Sequence, residues 1–574
     1  MAERKITGTH IVFALVVCVL IALLFVPIGP KPKPKVAKGE LPAASAVAVV
    51  TDDSIQVPSS LQERYKAISN AVNIERVKET VYTLGSYESR MVGYEGNEKA
   101  AQYVKDQFEK IGLQNVKSEG FKVTVPIDQG SSITVNGQTF PIYSIWPNLV
   151  RTSQVAPEGL KCHLIDAGKG KLPDFDGKKV NGSAAIVDFN SGTEWLNAPR
   201  LGAKALLFVE PERTMRGEGE AKFSAIPVSM PRFWVKKQDA EKLKSFVAEG
   251  KADDAVIKCR MPWEKVDAEN IVGFIEGTDP KLKDEIIVIH SHYDATSIVP
   301  ALAPGAEGSC GIAGLLELAR IFKQPEFAPR RTVMFIATSA HYQGLAGMRN
   351  FIESHIEDYR QPSTREKISA FVGKYFPENQ NHTSKALIPT MIVFLIIIAI
   401  ANYIRKKLSN AINKHKWLWV FPGIFAIAAV VAGYITFSQL SNGVSYKLPN
   451  PPKFYVWSGL DLSSQSEGVG IFYKGYFYDY REDIQGKFSD LAGRSRENAE
   501  RVAYTLGFAD QKDIRFADGV NPVRKNWRNF VPGKFALDSE VVTLAGGRGI
   551  SFVTTDDGRH LLDTPLDTVE KINF

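Results

Sequence analysis

The chain has 574 residues, which is too long for one ordinary domain and predicts two or three. Its apolar content of 44% and charged content of 23% are typical of a globular chain and exclude a disordered one. The formal net charge of +7 is modest for this length, and much of it flanks apolar segments, which favours a membrane over nucleic acid as a partner.

The amino-terminal part of the chain predicts a membrane anchor followed by a stalk. Charged residues 3–5 precede an uncharged run with an apolar core at residues 11–26, and no small-residue cleavage site follows directly. The basic, proline-rich sequence PKPKPKVAK comes next. We therefore predict an uncleaved signal anchor over residues 1–30 and a stiff Pro/Lys/Ala-rich stalk over residues 31–60.

Residues 61–130 have helical periodicity and predict the first part of an α/β domain. Apolar side chains recur at helical spacing over residues 74–84 and again over residues 98–111, where Gly112 ends the helix. The segment between the two predicted helices reads GSYESRMVGYEGNEKA.

Residues 131–262 predict a separate β-rich domain, because they contain short β-type runs, glycine turns and few long helical patterns. Two of the four cysteines, Cys162 and Cys259, fall in strand-like runs of this region and could pair outside the cytoplasm. The cysteines show no Cys-x-x-Cys spacing, which argues against a thiolate zinc site.

The sequence IIVIHSHYDA opens the second part of the α/β domain, predicted over residues 263–380. Its apolar run predicts a buried parallel strand that delivers His292 and Asp294 at its carboxyl end. In open α/β sheets, functional sites are built at this end of the strands. A His and a carboxylate at this spacing can supply a metal ligand and the group that orients it. The alternative is a strand that simply ends in polar residues.

Two segments free of formal charge, residues 386–404 and 417–440, predict a transmembrane hairpin over residues 386–440, since each is near the ~20 residues that a spanning helix needs. The strongly basic loop RKKLSNAINKHK between them predicts a cytoplasmic connection. With the anchor this makes a multi-pass protein of three spans whose globular parts lie outside the cytoplasm, and the α/β domain resumes over residues 450–574. The alternative is a pair of buried core helices.

These motifs resemble the co-catalytic zinc aminopeptidase family, which includes leucyl aminopeptidases and glutamate carboxypeptidases. Ser89, Arg90 and Gly93 match its Ser-Arg-x-x-Gly turn, and residues 131–262 resemble the protease-associated domain that is often inserted into these enzymes. The resemblance implies an α/β fold with a mixed, mostly parallel central sheet flanked by helices, to which the protease-associated domain and the transmembrane helices are added.

The resemblance also implies the position of a functional site that holds two zinc ions in the family. Its His-x-Asp motif is kept in this chain, whereas the bridging Asp, the adjacent Glu-Glu pair and the last His are replaced. The matching positions are His292 and Asp294 for His-x-Asp, Glu307 for the bridging Asp, His341 and Tyr342 for Glu-Glu, Asp461 for a strand-terminal Asp, and Asp563 for the last His.

Asp294 and His341 are therefore the candidate catalytic residues, and His341 could act as a base because its unperturbed pKa is about 6.5. Tyr342 is a poor metal ligand unless its phenol is deprotonated. The oxygen-rich ligand set predicts one zinc ion or none rather than two. The candidate metal ligands are His292, Glu307, Asp461 and Asp563, with Tyr342 the weakest of the set.

Two functions remain open, and whether the chain is an enzyme is open with them. The replaced residues predict a membrane-anchored, extracytoplasmic, zinc-aminopeptidase-like protein without two-zinc peptidase activity. Such a protein would bind a peptide or protein ligand or act as a subunit of a membrane complex, with no nucleic-acid partner. The alternative is an active metallopeptidase or other hydrolase with an altered, single-metal site.

Overall fold

The computed structural model describes nine stretches of the chain: residues 57–147, 151–222, 230–356, 453–465, 468–472, 482–507, 515–518, 536–555 and 559–574. The predicted anchor, the predicted hairpin and nearly all of the predicted stalk lie outside these residues.

The localisation predicted from three membrane spans is wrong in light of the described helices. Among the residues that the structure describes, no helix is long and apolar enough to cross a membrane. The longest of them, Glu482–Thr505, carries charged residues along its whole length. The prediction depended on the apolar length of residues 11–26, 386–404 and 417–440, which themselves lie outside the described residues.

The described residues form the following strands and helices, each numbered in chain order. The strands are β1 (Gln114–Pro126), β2 (Ser131–Val135), β3 (Gln138–Ser144), β4 (Leu160–Asp166), β5 (Ser183–Asp188), β6 (Ala205–Val209), β7 (Arg232–Val235), β8 (Ala255–Cys259), β9 (Trp263–Ile275), β10 (Glu285–His292), β11 (Thr332–Thr338), β12 (Lys453–Asp461), β13 (Gly468–Phe472), β14 (Arg515–Asp518) and β15 (Gly549–Thr555). The helices are α1 (Ser59–Ala71), α2 (Ile74–Gly85), α3 (Glu95–Ile111), α4 (Asn197–Arg200), α5 (Arg216–Glu220), α6 (Lys237–Ala248), α7 (Ser309–Lys323), α8 (Ala346–His355), α9 (Glu482–Thr505) and α10 (Ser539–Leu544).

An eight-stranded mixed sheet forms the centre of the α/β domain, in the order β1-β9-β11-β10-β12-β15-β13-β14. Its middle is parallel, because β10 pairs in parallel with β11 and β12, and β12 pairs in parallel with β15. The pairs β1–β9, β9–β11 and β13–β15 are antiparallel. The predicted mixed sheet and the α/β class are therefore confirmed.

Strand β10 is central because both of its faces are covered. Ile289 packs into an apolar core formed with helices α2, α3 and α7 on one face. Val288 packs on the other face with residues of α8 and α10. A parallel strand that is buried on both faces has a continuous apolar sequence, which explains the apolar run from which β10 was predicted. The carboxyl end of this strand reaches the candidate site.

Strands β2 to β8 form a second sheet that closes on itself, in the order β2-β3-β7-β6-β5-β4-β8. Its interior is apolar and includes Ile133, Ile186 and Leu207. Cys162 on β4 stands opposite Ala255, whereas Cys259 lies further along β8 opposite Ser131, so the two cysteines are free and do not pair. The identity of this unit as a protease-associated domain stays a prediction.

Candidate functional site

Strand β10 ends at His292, and Asp294 follows two residues later. His292 is its last residue and is 6% exposed, and Asp294 follows at 0%. Asp294 Oδ2 accepts a hydrogen bond of 3.0 Å from the backbone N–H of His341. Burial raises the pKa of Asp294 to about 7, although the charge of His341 opposes this shift. The His-x-Asp spacing therefore places one side chain at the pocket and the other behind it.

Arg90 fixes the turn that follows this strand. It is fully buried, and its Nε and Nη1 donate to the carbonyl oxygens of Pro304 at 3.0 Å and Tyr293 at 2.7 Å. Its Nη2 donates to the carbonyl of Gly305, where φ is +58° and a Cβ would collide with Ala295. The arginine of the Ser-Arg-x-x-Gly motif thus ties the Pro304-Gly305 turn to the end of β10.

Glu307, at the position of the family's bridging Asp, points its carboxylate at Ser464. The backbone N–H and the hydroxyl of Ser464 each donate to one of its oxygens at 2.7 Å. The backbone N–H of Glu307 in turn donates to Asp567 Oδ1 at 3.0 Å. Both carboxylate oxygens of Glu307 are therefore engaged in hydrogen bonds behind the pocket.

His341 forms a buried pair with Asp538, the residue directly before helix α10. Its Nδ1 lies 2.9 Å from Asp538 Oδ1, and the Thr338 hydroxyl donates to the other carboxylate oxygen at 2.6 Å. Burial lowers the pKa of His341, but the charge and hydrogen bond of Asp538 outweigh it and raise the pKa to about 9. Burial also raises the pKa of Asp538, and the charge of His341 reverses this to a pKa well below its usual range. His341 is therefore an imidazolium at neutral pH.

Three rings meet at the inner wall of the pocket. The His292 and His341 rings stack with centroids 4.2 Å apart, and the Tyr342 ring meets each of them edge to face. Burial, and then the charge of His341, hold the pKa of His292 well below its usual value, so His292 is neutral. Burial raises the pKa of the Tyr342 phenol well above its usual value, so it stays protonated.

Asp461, at the end of β12, is paired with an arginine. Arg559 Nη1 donates to Asp461 Oδ1 at 2.8 Å, and Nη2 donates to the Asp461 carbonyl and to Thr554 Oγ1, each at 3.1 Å. The two side chains are 5% and 10% exposed. A buried guanidinium therefore neutralises this carboxylate through a single charge-assisted hydrogen bond to Oδ1.

Asp563, at the position of the family's last His, is paired with Arg216, which begins helix α5 between strands β6 and β7 of the second sheet. Arg216 Nε lies 3.1 Å from Asp563 Oδ2, and the Arg216 backbone N–H donates to the carbonyl of His560 at 2.5 Å. Burial raises the pKa of Asp563, which the charge of Arg216 opposes. Helix α5, which follows β6 in the chain, thus reaches into the site of the other sheet.

Strained backbone is concentrated here. Positive φ angles occur at Ala340 (+54°) and Leu345 (+59°), which flank the turn that carries His341 and Tyr342. They occur again at Arg559 (+42°) and Asp563 (+64°). Such conformations cost roughly 1–3 kcal/mol each for residues other than glycine and cluster at functional sites.

These side chains surround one pocket of about 140 Å³. Its lining includes five of the seven residues predicted from the sequence but not Asp294 or Glu307, and the roles assigned to all seven stay predictions. Sequence reasoning did not find Arg216, Asp538 or Arg559. The pocket is lined by Arg216, His292, Gly308, His341, Tyr342, Gly344, Asp461, Ala536, Arg559, Leu562 and Asp563.

The zinc that the family resemblance implies does not fit these residues. Asp461 and Asp563 contact guanidinium groups, and both oxygens of Glu307 accept hydrogen bonds from Ser464. Within the described part of the chain, no three His, Cys, Asp or Glu side chains are arranged to hold a metal ion. The carboxylates of Asp461 and Asp563, which a metal would need as ligands, are instead paired with Arg559 and Arg216.

Comparison with known protein families finds a match to one segment of the chain, which contributes part of this site. Residues 270–373 match the family model described as "Peptidase family M28". This part of the chain is similar to peptidase family M28. It includes β10, α7 and β11, and the family expected from the motifs is confirmed.

This chain has other likenesses that cover different lengths. It is 33% identical over 91 residues to a protein named Nicalin from Caenorhabditis elegans, a match that spans 15% of this chain and 16% of that protein. A zinc aminopeptidase from Bacillus subtilis is 17% identical, with 87% of this chain and 90% of that chain covered and a TM-score of 0.44. A peptidase M28 precursor from Shewanella amazonensis is 14% identical, with 89% and 92% covered and a TM-score of 0.46. With TM-scores below 0.5, these structural likenesses carry no functional argument.

Proposed function

We propose that this protein is a binding or complex-forming member of the M28 group that lacks two-zinc peptidase activity. The observation that carries the proposal is the buried ion pair between Arg559 and Asp461, with 2.8 Å between Nη1 and Oδ1. The resemblance makes Asp461 a zinc-ligand position, so the arginine supplies there the positive charge that a metal would supply.

Electrostatics make this replacement hard to reverse. A zinc ion at Asp461 would lie within a few ångströms of the Arg559 guanidinium, in an environment where like charges repel far more strongly than in water. Displacing Arg559 would leave a buried guanidinium without its carboxylate, at a cost of about 3–5 kcal/mol. Any remaining metal affinity should therefore correspond to one ion or none.

The second sheet supports a role in shaping the pocket rather than in chemistry. We infer that it corresponds to the protease-associated domain predicted from the sequence, because Arg216, in the connection between its strands β6 and β7, contacts Asp563 in the pocket. We propose that the pocket binds a peptide or protein ligand, or a partner subunit of a complex, without catalysing its hydrolysis.

The experiment is a metal and activity analysis of the full chain. The purified protein is dialysed against zinc, its metal content is measured, and hydrolysis is assayed on a broad panel of peptides and aminoacyl anilides with and without chelator. We expect less than one zinc per chain and no chelator-sensitive hydrolysis. Stoichiometric zinc together with hydrolysis that the chelator abolishes would overturn the proposal in favour of the single-metal hydrolase.

A matched variant makes a negative result informative. Arg559→Met removes the competing cation and leaves the other pocket residues in place, so its zinc content is measured beside that of the parent. More zinc in the variant than in the parent supports replacement of the metal by the arginine. Equal and stoichiometric zinc in both proteins contradicts it.

A further inference from the structure

We propose that the pocket binds an uncharged hydrogen-bonding group of its ligand, a primary carboxamide, against Asp563, His292 and Tyr342. This inference rests on the proposed binding function, and it names the chemical class that the pocket recognises. No residue of the pocket reacts, and no arginine N–H group is needed as a donor to the ligand.

Two ion pairs balance the charge of the pocket wall. Arg559 is paired with Asp461 and Arg216 is paired with Asp563, and all four side chains line the pocket. The nitrogen and oxygen of these pairs lie 2.8 and 3.1 Å apart. A carboxylate of a ligand would face the two aspartates, and an ammonium group would face the two arginines. Because like charges repel strongly at low dielectric, the wall favours a ligand group without charge.

The three rings of the inner wall add no net charge. The positive charge of His341 is balanced by Asp538, which lies 2.9 Å away. His292 is neutral because burial holds its pKa well below the usual value. Burial also raises the pKa of the Tyr342 phenol well above its usual value, so the phenol keeps its proton. The rings therefore offer hydrogen-bonding groups without an uncompensated charge.

Unpaired polar atoms remain in this balanced wall. Asp563 Oδ2 contacts Arg216, whereas its buried Oδ1 has no hydrogen-bond partner among the described residues. The same part of the chain supplies no partner for Nε2 of His292, which is 6% exposed. Buried polar atoms are nearly always paired in folded proteins. A ligand that pairs both atoms needs an N–H donor for the carboxylate and a hydrogen-bonding atom for the imidazole.

A glycine leaves space beside His292. Gly308 lines the pocket and has a φ of −64°, which any residue can adopt. A Cβ at this position would lie 3.7 Å from His292 Nε2 and 3.8 Å from the Tyr342 hydroxyl, in van der Waals contact with both. The absence of a side chain at Gly308 therefore leaves room for a ligand atom next to the imidazole nitrogen and the phenol.

A primary carboxamide meets these requirements. It is uncharged, its NH₂ group carries two donors, and its carbonyl oxygen is an acceptor. The NH₂ group can donate to Asp563 Oδ1, and the carbonyl oxygen can accept from the Tyr342 hydroxyl or from an Nε2–H of His292. At about 140 Å³ the pocket is far smaller than the roughly 300–1,000 Å³ of sites that enclose drug-sized ligands. It therefore holds one such group rather than a whole peptide.

The test is ligand-observed NMR titration of the full chain at neutral pH with four probes of similar shape. They are isobutyramide, isobutyrate, isobutylammonium and 3-methyl-2-butanone, in which a methyl group replaces the NH₂ group of the amide. We expect saturable binding of isobutyramide and at least about tenfold weaker binding of the other three, which lack the donor or add an unbalanced charge. No saturable binding of the amide, or equally tight binding of any other probe, overturns the proposal.

Matched variants locate the binding in the pocket. Asp563→Ala removes the unpaired acceptor and should weaken amide binding about tenfold or more. Asp267→Ala, at an exposed ion pair outside the pocket, should leave amide binding unchanged. Since Asp563 also contacts Arg216, unfolding midpoints verify the fold of the variant. Equal amide affinities of the two aspartate variants would refute the site.

A histidine variant tests the same site without breaking an ion pair. His292→Phe keeps a ring of similar shape and removes the unpaired Nε2, so amide binding should weaken without a lower unfolding midpoint. His355→Phe, on α8 outside the pocket, is the control and should bind isobutyramide as the parent does. Unchanged amide binding in both histidine variants would contradict the role of the imidazole.

Two further probes distinguish the source of the carboxamide. N-acetylalaninamide carries it at the end of a chain, and N-acetylasparagine N-methylamide carries it in a side chain. Tighter binding of the first assigns the site to amidated chain ends, and tighter binding of the second assigns it to asparagine side chains. Either result supports the carboxamide class.

Zinc content measured on the same preparation separates the two proposals. A protein without zinc that does not bind isobutyramide contradicts the carboxamide site and leaves the proposed binding function standing. A protein with stoichiometric, catalytically active zinc contradicts the proposed function itself.

Discussion

His341 Nδ1 and Asp538 Oδ1 lie 2.9 Å apart in the core, although 197 residues separate them in the chain. Their side chains are 7% and 5% exposed, and Thr338 holds the second carboxylate oxygen. In the family that the chain resembles, the position of His341 carries the general base. Here it carries a cation whose counterion comes from the start of α10.

This pair should make stability depend on pH. The pKa of His341 is raised from 6.5 to about 9 in the folded protein, against burial and through the charge of Asp538. The native state therefore keeps a proton between these pH values that the unfolded chain releases. The stabilisation is fully present below pH 6.5 and is lost as the pH rises through about 9. The free energy of unfolding of the parent relative to His341→Gln should fall by on the order of 3 kcal/mol across this window, measured by urea denaturation at several pH values.

A control for this prediction is His355→Gln. His355 contacts Glu119 at 2.9 Å with its side chain 32% exposed, so solvent screening should make the loss of this contact small. A difference between parent and His341→Gln that is constant from pH 6 to pH 9.5 would contradict the charge assigned to His341.

Arg90 should be irreplaceable by lysine. Its guanidinium donates to the carbonyl oxygens of Tyr293, Pro304 and Gly305, and one ammonium group cannot reach all three. Arg90→Lys should therefore lose about 3–5 kcal/mol in the free energy of unfolding, since buried carbonyls are left unpaired. Arg64→Lys, at an exposed position, is the matched control and should change it by less than about 0.5 kcal/mol. Equal stabilities of the two variants would show that the motif arginine does not hold the turn.

The sequence predicted the parts of this molecule that are recorded in local patterns. The apolar run of β10 predicts a strand buried on both faces, and the spacing of the motifs brought His292, His341 and Asp461 into one pocket. These features can be predicted because the burial of a strand is visible in its own hydrophobic pattern and the turn of a motif depends on residues within that motif.

The ion pairs could not be predicted in this way. Arg216 reaches the pocket from another sheet, and Asp538 precedes a short helix whose sequence carries no sign of a distant histidine. Arg559 lies only four positions before Asp563, but which carboxylate it neutralises depends on tertiary packing. The predicted localisation is contradicted on other grounds, since no helix of the described residues is long and apolar enough to cross a membrane.

Cys162 and Cys259 should remain unpaired and protected. Burial raises the pKa of the Cys162 thiol to about 11 and that of Cys259 to about 12, so little thiolate is present at pH 8. Peptide mapping after alkylation at pH 8 should show slow labelling of both in the native protein and fast labelling in denaturant. A Cys162–Cys259 cross-link in a non-reducing digest would contradict the observed strand register.

The pair of Arg559 and Asp461 should be coupled far more strongly than a surface pair. Arg559→Met leaves a buried carboxylate without its counterion and should cost about 3–5 kcal/mol in the free energy of unfolding. Asp461→Asn in the same chain should restore much of the loss, because the uncompensated charge is then gone. The four proteins of this double-mutant cycle are compared by urea denaturation.

The matched cycle uses Arg330 and Asp279, which lie 2.6 Å apart at the surface with the arginine side chain 69% exposed. Its coupling should be about 0–1 kcal/mol because water screens the pair. A coupling of Arg559 with Asp461 that is no larger than this surface value would mean that the arginine does not compensate the carboxylate. Arg559 would then not replace a metal, whereas a coupling of several kcal/mol, together with zinc uptake by Arg559→Met, would support the replacement.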